Sequence, residues 1–250
     1  MERLTGQVAV VTGGGTGMGE AAAGALARAG ARVAVVGRRP QPLDEVVGHL
    51  TEEGRTALAL PADVVDPDAV QGVVAEVVER WGRVDVLVNS AGINVPRRDL
   101  ASVSMADWNA VLQINLTGTF LVTHAVLPIM RQQRSGTIVN VSSIAGYRAM
   151  ALTGPAYNAA KAGVNAFTES VNLAERSNGS RARAICPGEV ATPFLDQRPQ
   201  PPTAEARATM LQAQDVADAV LFVAAPPQRA NVELLTMVPT EQRDWTAELR

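Results

Sequence analysis

Tyr157 and Lys161 stand four residues apart in Tyr157-Asn158-Ala159-Ala160-Lys161, and Lys161 is the only lysine of the chain. On a helix, residues i and i+4 share a face, so the phenol and the ammonium would point the same way. A nearby ammonium favours the phenolate and lowers a tyrosine pKa, as a proton donor and acceptor working near neutral pH requires. Arginine serves elsewhere as the long basic side chain, but it offers no compact point charge with three freely directed donors. A surface lysine beside a buried tyrosine would show the same spacing, so the pair gains meaning from what the rest of the chain places around it.

A second candidate lies near the N-terminus. Val8 to Val11 is a short β-branched run, followed by Thr12 and then Gly13-Gly14-Gly15-Thr16-Gly17-Met18-Gly19. An alanine-rich, helix-favouring segment from Glu20 to Ala29 comes next, with Gly30 at its end. Strand, glycine turn and helix together make a place where backbone can approach a pyrophosphate and helix N–H groups can bind it. The spacing is Gly13-x-x-x-Gly17-x-Gly19, not the commoner G-x-G-x-x-G. A second strand, Arg32 to Val36, leads to Gly37-Arg38-Arg39 with no acid before Asp44. An acid here would bond the adenosine ribose, whereas arginine would accept a 2′-phosphate. Arg38, with Arg39 as second candidate, therefore favours NADP(H) over NAD, unless both arginines simply face solvent.

These groups need elements to position them, and the chain supplies an alternation. Helices are expected at Pro42–Glu53 and Pro67–Trp81, the latter capped by Asp66, and strands at Thr56–Leu60 and Val84–Val88. One long helical segment from Ser104 to about Gln133, containing Asn115, precedes a strand at Gly136–Val141 that ends in Ser142-Ser143. Thr153-Gly154 opens the helix of Tyr157 and Lys161, and Ala182–Ile185 is the next strand. This alternation implies an α/β doubly wound parallel sheet, with ligands outside the strand carboxyl ends. Gly13, Arg38, Asp63, Asn89 and Gly92 all fall at such ends.

Taken in order, TGGGTGMG (12–19), ADV (62–64), NSAG (89–92), Asn115, VSS (141–143), YNAAK (157–161) and PGEVATP (187–193) resemble the short-chain dehydrogenase/reductase family in its compact, single-domain, Rossmann-like branch. The resemblance runs from about Gln7 to Pro193, and more loosely to Pro239. It implies an oxidoreductase with Tyr157 as acid and base, Lys161 lowering its pKa and bonding the nicotinamide ribose, Ser143 orienting the substrate oxygen, and Asn115 holding a relay water. Gly13, Thr16, Gly17, Met18 and Gly19 would surround the pyrophosphate. Asp63 and Val64 would contact the adenine, Asn89, Ala91 and Gly92 would line the cofactor path, and Pro187, Gly188, Val190 and Thr192 would place the nicotinamide. The expected reaction is hydride transfer between NADP(H) and a secondary alcohol or ketone. Alternatives are an NAD(P)-dependent dehydrogenase of 3-hydroxy (serine-like) acids and, from another class, a non-catalytic cofactor sensor or interaction protein.

Two stretches depart from the family. Ser90 stands where asparagine is frequent, and the chain closes on Asn231 to Thr240 and a charged tail instead of a glycine-rich ending, which leaves homodimer and homotetramer both open. A single domain is expected, with a short proline-rich lid over about 193–214 before the last helix and strand. Phe194, Leu195, Met210 and Leu211 are candidates for its apolar wall, and Arg97, Arg98, Arg148 and Arg198 for a carboxylate clamp.

Composition bounds the rest. With 250 residues, 47% of them hydrophobic, the chain can bury a sizeable core. A net charge of −3 gives no electrostatic reason to expect nucleic acid or an anionic membrane. No apolar run of spanning length and no signal peptide is read, and the single cysteine, Cys186, fits a reducing compartment, so a cytoplasmic location is expected. His49 and His124 read as structural, and no metal site is expected.

Overall fold

Short β-branched runs such as Val8–Thr12 cannot satisfy their backbone alone, and here they pair into one sheet. The computed structural model describes residues 3–241 and residue 244. Its strands are β1 (Val8–Thr12), β2 (Arg32–Gly37), β3 (Ala57–Pro61), β4 (Val86–Asn89), β5 (Gly136–Val141), β6 (Ser180–Pro187), the two-residue β7 (Val190–Ala191) and β8 (Leu211–Gln212), and β9 (Leu234–Met237). The helices are α1 (Gly17–Arg28), α2 (Pro40–Glu52), α3 (Pro67–Trp81), α4 (Met105–Leu112), α5 (Gly118–Gln133), α6 (Gly154–Glu175), the short α7 (Ala204–Ala208) and α8 (Ala213–Ala224). Seven strands form a parallel sheet in the order β3-β2-β1-β4-β5-β6-β9, flanked by helices in a Rossmann-like arrangement. The chain winds outward from β1 through β2 to β3, then restarts at β4 on the other side. A crevice opens at such a reversal, outside the carboxyl ends of β1 and β4.

Burial on both faces explains why the strands read as continuous apolar runs. Val8 to Thr12 and Gly136 to Val141 are buried throughout. Asp66 caps α3 by accepting from the Asp68 and Ala69 N–H groups, and Gly82 ends it in the left-handed region. The strand expected after the proline-rich lid is present as β9, paired in parallel with β6. The lid itself is not plain loop: β7 and β8 pair, and Arg207 ties the segment to the Thr192 and Pro202 carbonyls and to Asp196. Most of the charged tail lies outside the described residues, as do Met1 and Glu2.

Two expectations about the long helical segment are corrected. It is broken by a π turn at Gln113–Thr117, which separates α4 from α5. Taken together, Met105–Gln133 is also long and apolar enough to cross a membrane, with a mean hydropathy of 1.4 over its most apolar 18 residues. Its buried side chains, among them Val111, Val122, Val126 and Met130, instead pack into the core of the fold.

A polar rung crosses the sheet just beneath the strand ends. Thr12, Asn89 and Asn140 sit side by side in register on β1, β4 and β5. Asn89 Nδ2 donates to Asn140 Oδ1 at 2.9 Å, and Asn140 Nδ2 donates to Thr168 Oγ1 on α6 at 2.8 Å. The rung therefore fixes α6, which carries Tyr157 and Lys161, relative to the central strands. Replacing Asn140 with alanine strands a buried donor and a buried acceptor, so the unfolding free energy in a denaturant titration is expected to fall by about 1–3 kcal/mol. A fall of less than about 0.5 kcal/mol, the range of neutral surface changes, would show that the rung does not hold the helix.

Candidate active site

Two clefts meet outside the carboxyl ends of the central strands. Gly13, Thr16, Arg38, Arg39, Asp63 and Val64 line one of them. Ser143, Tyr157, Lys161, Arg98 and Arg198 line the other, with Met18, Pro187, Gly188, Val190 and Thr192 along its side. Gly92 borders both.

The first cleft is built by close backbone contact. Thr12 Oγ1 accepts from the Ser90 and Ala91 N–H groups at 3.2 Å each, which binds the glycine turn to the loop after β4. Gly13 has φ +65°, and a Cβ there would lie 2.8 Å from the Ala91 nitrogen. A Cβ on Gly19 would strike the Gly13 carbonyl oxygen. The Thr16 side chain makes no cap bond to α1, so the first-turn N–H groups of that helix remain as anion donors. Arg38 and Arg39 are exposed at the rim. Asp63 accepts from the Val65 N–H at 3.2 Å, and Val64 is buried. Asn89 sends its side chain the other way, into the polar rung and to Thr123 Oγ1, and its Oδ1 is buried without a partner among the described residues. Only its backbone reaches the edge.

The second cleft gathers the hydroxyls and the ammonium. Ser143 ends β5 and accepts from the Ala145 N–H at 3.1 Å. Lys161 is buried, and its Nζ donates to the Val141 carbonyl at 2.8 Å and lies 5.6 Å from the centre of the Tyr157 ring. Burial pushes Lys161 down to about 8. Burial also pushes the Tyr157 phenol up to about 12, opposed by a hydrogen bond with Ser143 and by the Arg198 and Arg98 guanidiniums, while Cys186 adds to the rise. The phenol thus stands above its ordinary range, and Lys161 is not among the groups that most strongly pull it down. Its ammonium is turned onto the Val141 carbonyl and is itself driven toward neutrality, and the two arginines supply the opposing charge.

Asn115 sits fully buried in the π turn. Its Oδ1 accepts from the Ile93 N–H at 2.9 Å and its Nδ2 donates to the Ile93 carbonyl at 2.8 Å. The side chain thus clamps the loop where the clefts meet. A Cβ on Gly92 would lie 2.6 Å from Asn115 Oδ1 and 3.9 Å from Lys161 Nζ, which places Asn115 and Lys161 on either side of that junction. π turns of this kind are frequent at functional sites.

The four candidate clamp arginines separate. Arg98 and Arg198 line the second cleft. Arg97 is exposed away from it, and Arg148 faces a neighbouring groove. Phe194 and Leu195 form part of the wall, whereas Met210 lines that other groove. Three contributors were not singled out from the sequence. Asn158, inside the Tyr–Lys motif, bonds Thr153 Oγ1 at 2.6 Å and the Met150 carbonyl at 3.0 Å, which shapes the loop along the cleft. Asn94 donates to the Thr153 carbonyl at 2.9 Å, and Glu189 pairs with Arg198 at 2.8 Å. Only Glu189 carried a signal, as the acid inside PGEVATP.

A parallel sheet with its glycine turn at the reversal, and a serine, tyrosine and lysine at the edge beside it, define an oxidoreductase of the dinucleotide-binding class. The model of the short chain dehydrogenase family matches residues 7–202, and the chain belongs to that family. It is 39% identical to a 3-oxoacyl-[acyl-carrier-protein] reductase of Synechocystis sp. over 93% of this chain and 94% of that one. Among solved structures, levodione reductase superposes with a TM-score of 0.88 at 31% identity, covering 94% of this chain and 97% of that one. A metagenomic short-chain oxidoreductase in complex with NADP superposes with a TM-score of 0.83 at 30% identity, covering 96% of this chain and all of that one.

The depressed Lys161 has a consequence for stability. Between about pH 8 and its unfolded value near 10.5 the unfolded chain holds this proton and the folded chain does not, so this group adds stability as pH rises. Cys186 and Tyr157, raised by burial, act in the opposite direction; removing the Lys161 charge raises the Cys186 thiol further, which adds to the difference in the same direction. The stability of wild type relative to Lys161→Met is therefore expected to increase from pH 8 to pH 10 in urea titrations of the ligand-free protein. A pH-independent difference would mean that the ammonium is not desolvated.

Proposed function

We propose that the chain is an NADP(H)-dependent oxidoreductase that moves a hydride between the nicotinamide and a secondary alcohol or ketone, with Tyr157 as acid and base. The observation that carries this reading is the meeting of the two clefts at Gly92, with a glycine cradle on one side and the Ser143 and Tyr157 hydroxyls on the other. The cradle suits a dinucleotide, because Cβ atoms at Gly13 or Gly19 would strike neighbouring backbone and open the tight turn that brings the first-turn N–H groups of α1 to the cleft. Gly13, Thr16, Gly17, Met18 and Gly19 hold the pyrophosphate in this reading. Asp63 and Val64 border the adenine, Ala91 and Gly92 the path between the clefts, and Pro187, Gly188, Val190 and Thr192 the nicotinamide. Arg38, with Arg39 beside it, takes the 2′-phosphate. Neither arginine makes an ion pair among the described residues, and the relative solved with NADP supports the choice. When bound, the cofactor supplies or accepts the hydride.

The chain supplies the proton and the charge stabilisation. Ser143 Oγ and Tyr157 Oη donate to the substrate carbonyl oxygen and orient it. As that oxygen becomes negative in reduction, both bonds strengthen relative to the ground state, which is where they lower the barrier. Tyr157 then gives up its proton. The phenolate left behind is favoured by Ser143, Arg198 and Arg98, the groups already pulling against its burial. Lys161 adds its charge as it takes up the ribose, and Asn115 keeps the loop at the junction in place. Phe194 and Leu195 in the lid limit access of water.

Tyr157→Phe is expected to lower kcat on a ketone panel by about 10²–10⁴-fold, followed at the NADPH absorbance band, while the protein still binds NADPH. Undiminished turnover would remove Tyr157 as the acid. For cofactor choice, Arg38→Ala should lower the NADPH-to-NADH ratio of kcat/KM by about 10-fold or more, the value of a charge-assisted bond. A wild-type enzyme that prefers NADH would overturn the role of Arg38.

A further inference from the structure

Charge in the substrate cleft is unbalanced at one point. Arg98 is only 9% exposed, yet it lines the same cleft as Ser143 and Tyr157. Its Nη2 donates to the Gln197 carbonyl at 3.0 Å, and its Nε is buried without a hydrogen-bond partner among the described residues. The charged neighbours that act on it are Arg198, which repels it, and the Tyr157 phenol. Among the described residues no carboxylate pairs with it. Arg198, across the same cleft, is different, because the nearly buried Glu189 neutralises it at 2.8 Å. Burial and Arg198 push Arg98 down to about 10, which still leaves it cationic at neutral pH.

Buried charges are ordinarily paired, since an isolated one costs several kcal/mol in lost hydration. Tethering the lid through the Gln197 carbonyl calls for one neutral donor, not a guanidinium with five N–H groups and a fixed charge. Arg98 lines the cleft where the substrate oxygen is to be held, and Nη2 is the only one of its nitrogens with a hydrogen-bond partner among the described residues. We propose that Arg98 binds a carboxylate carried by the substrate, so that the chain acts on small keto acids or the corresponding hydroxy acids. The proposal rests on the oxidoreductase reading above and names the substrate class of that same site. Arg98 is then the specificity-determining residue, with Arg198 held back by Glu189 as a second positive wall. Arg97 and Arg148, outside the cleft, take no part.

The test compares acids with their uncharged esters. Acetoacetate and levulinate are assayed against their methyl esters with NADPH and NADH, in wild type, Arg98→Met and Arg98→Lys. Methionine keeps the apolar stem, and lysine keeps the charge and a donor for Gln197. Wild type is expected to favour the acid in at least one pair. Arg98→Met should lower that acid-to-ester ratio of kcat/KM by about 10-fold or more, as loss of a charge-assisted bond requires, and Arg98→Lys should recover part of it. A purely structural Arg98 would move both substrates together and leave the ratio unchanged, which would overturn the proposal. Malonate, an inert dicarboxylate, gives a second readout by calorimetry with NADP present and absent. It should bind wild type about 10-fold or more tightly than Arg98→Met, and equal binding by the two proteins overturns the proposal. If neither ketone is turned over with either cofactor, the oxidoreductase reading fails, and the malonate comparison still decides the role of Arg98.

Discussion

The arrangement of the site depends on where one buried ammonium can be placed. Lys161 lies inside the fold without a carboxylate partner among the described residues, and its Nζ donates a hydrogen bond to the Val141 carbonyl at the end of β5 at 2.8 Å. That contact requires α6 to lie close against the end of β5. Three features set the approach. Asn140 reaches Thr168 one way, Ser142 Oγ donates to the Lys161 carbonyl at 3.2 Å the other way, and Gly146 is the residue across which α6 comes near. A Cβ on Gly146 would lie 2.7 Å from that same carbonyl oxygen. Once α6 is seated, Tyr157 and Ser143 face the same space without further adjustment. The sheet order places β4 beside β5 and β1 beside β4, so the glycine turn arrives next to them.

The same contact shows where the ammonium is engaged, and Lys161 is not among the groups that most strongly lower the Tyr157 phenol. An ammonium that has left water needs an acceptor, and the carbonyl gives it one. Burial then pushes Lys161 down to about 8, which leaves it mostly cationic at neutral pH but engaged by the carbonyl. The groups that oppose the burial of the phenol come from elsewhere: Ser143 on the strand end, Arg98 on the loop after β4 and Arg198 in the lid. The Tyr157 phenol is thus tuned in part by loops that also line its cleft.

Much of the fold could be read from the chain because its signals are local. Pro67–Trp81 carries its own start and stop, with Asp66, Pro67 and Gly82, and the structure returns the same bounds. Gly136–Val141 is also returned unchanged, since the turn before it and the serines after it bracket one apolar run. The π turn at Asn115 was not legible, because no residue there breaks a helix and the extra backbone slack answers to a partner, Ile93, that lies 22 positions away. The candidate site divides in the same way. The glycine turn and the Tyr157–Lys161 pair are spacings along the chain and were visible. The separation of Arg98 and Arg198 from Arg97 and Arg148 was not, because four arginines on loops look alike until burial distinguishes them. For Asn89 the position at a strand end was legible but the side chain's direction was not: alternation along β4 does not say that its amide enters the rung.

The two arginines of the cleft link acid strength to substrate charge. Arg98 lowers the Tyr157 pKa, and any carboxylate bound at Arg98 cancels part of that positive field. On the proposal made for Arg98, binding the acid would raise the phenol and keep it protonated in the complex. Negative charge building on the substrate oxygen during reduction is then met by a donor that still holds its proton. An uncharged substrate leaves the field of Arg98 intact and the phenol more acidic, with no charge of its own to hold it in register. Arg198, already paired with Glu189, would act the same toward both. Selectivity for an acid and readiness to donate a proton would therefore come from one side chain, and that is a physical reason for an arginine to remain buried there without a counter-charge of its own.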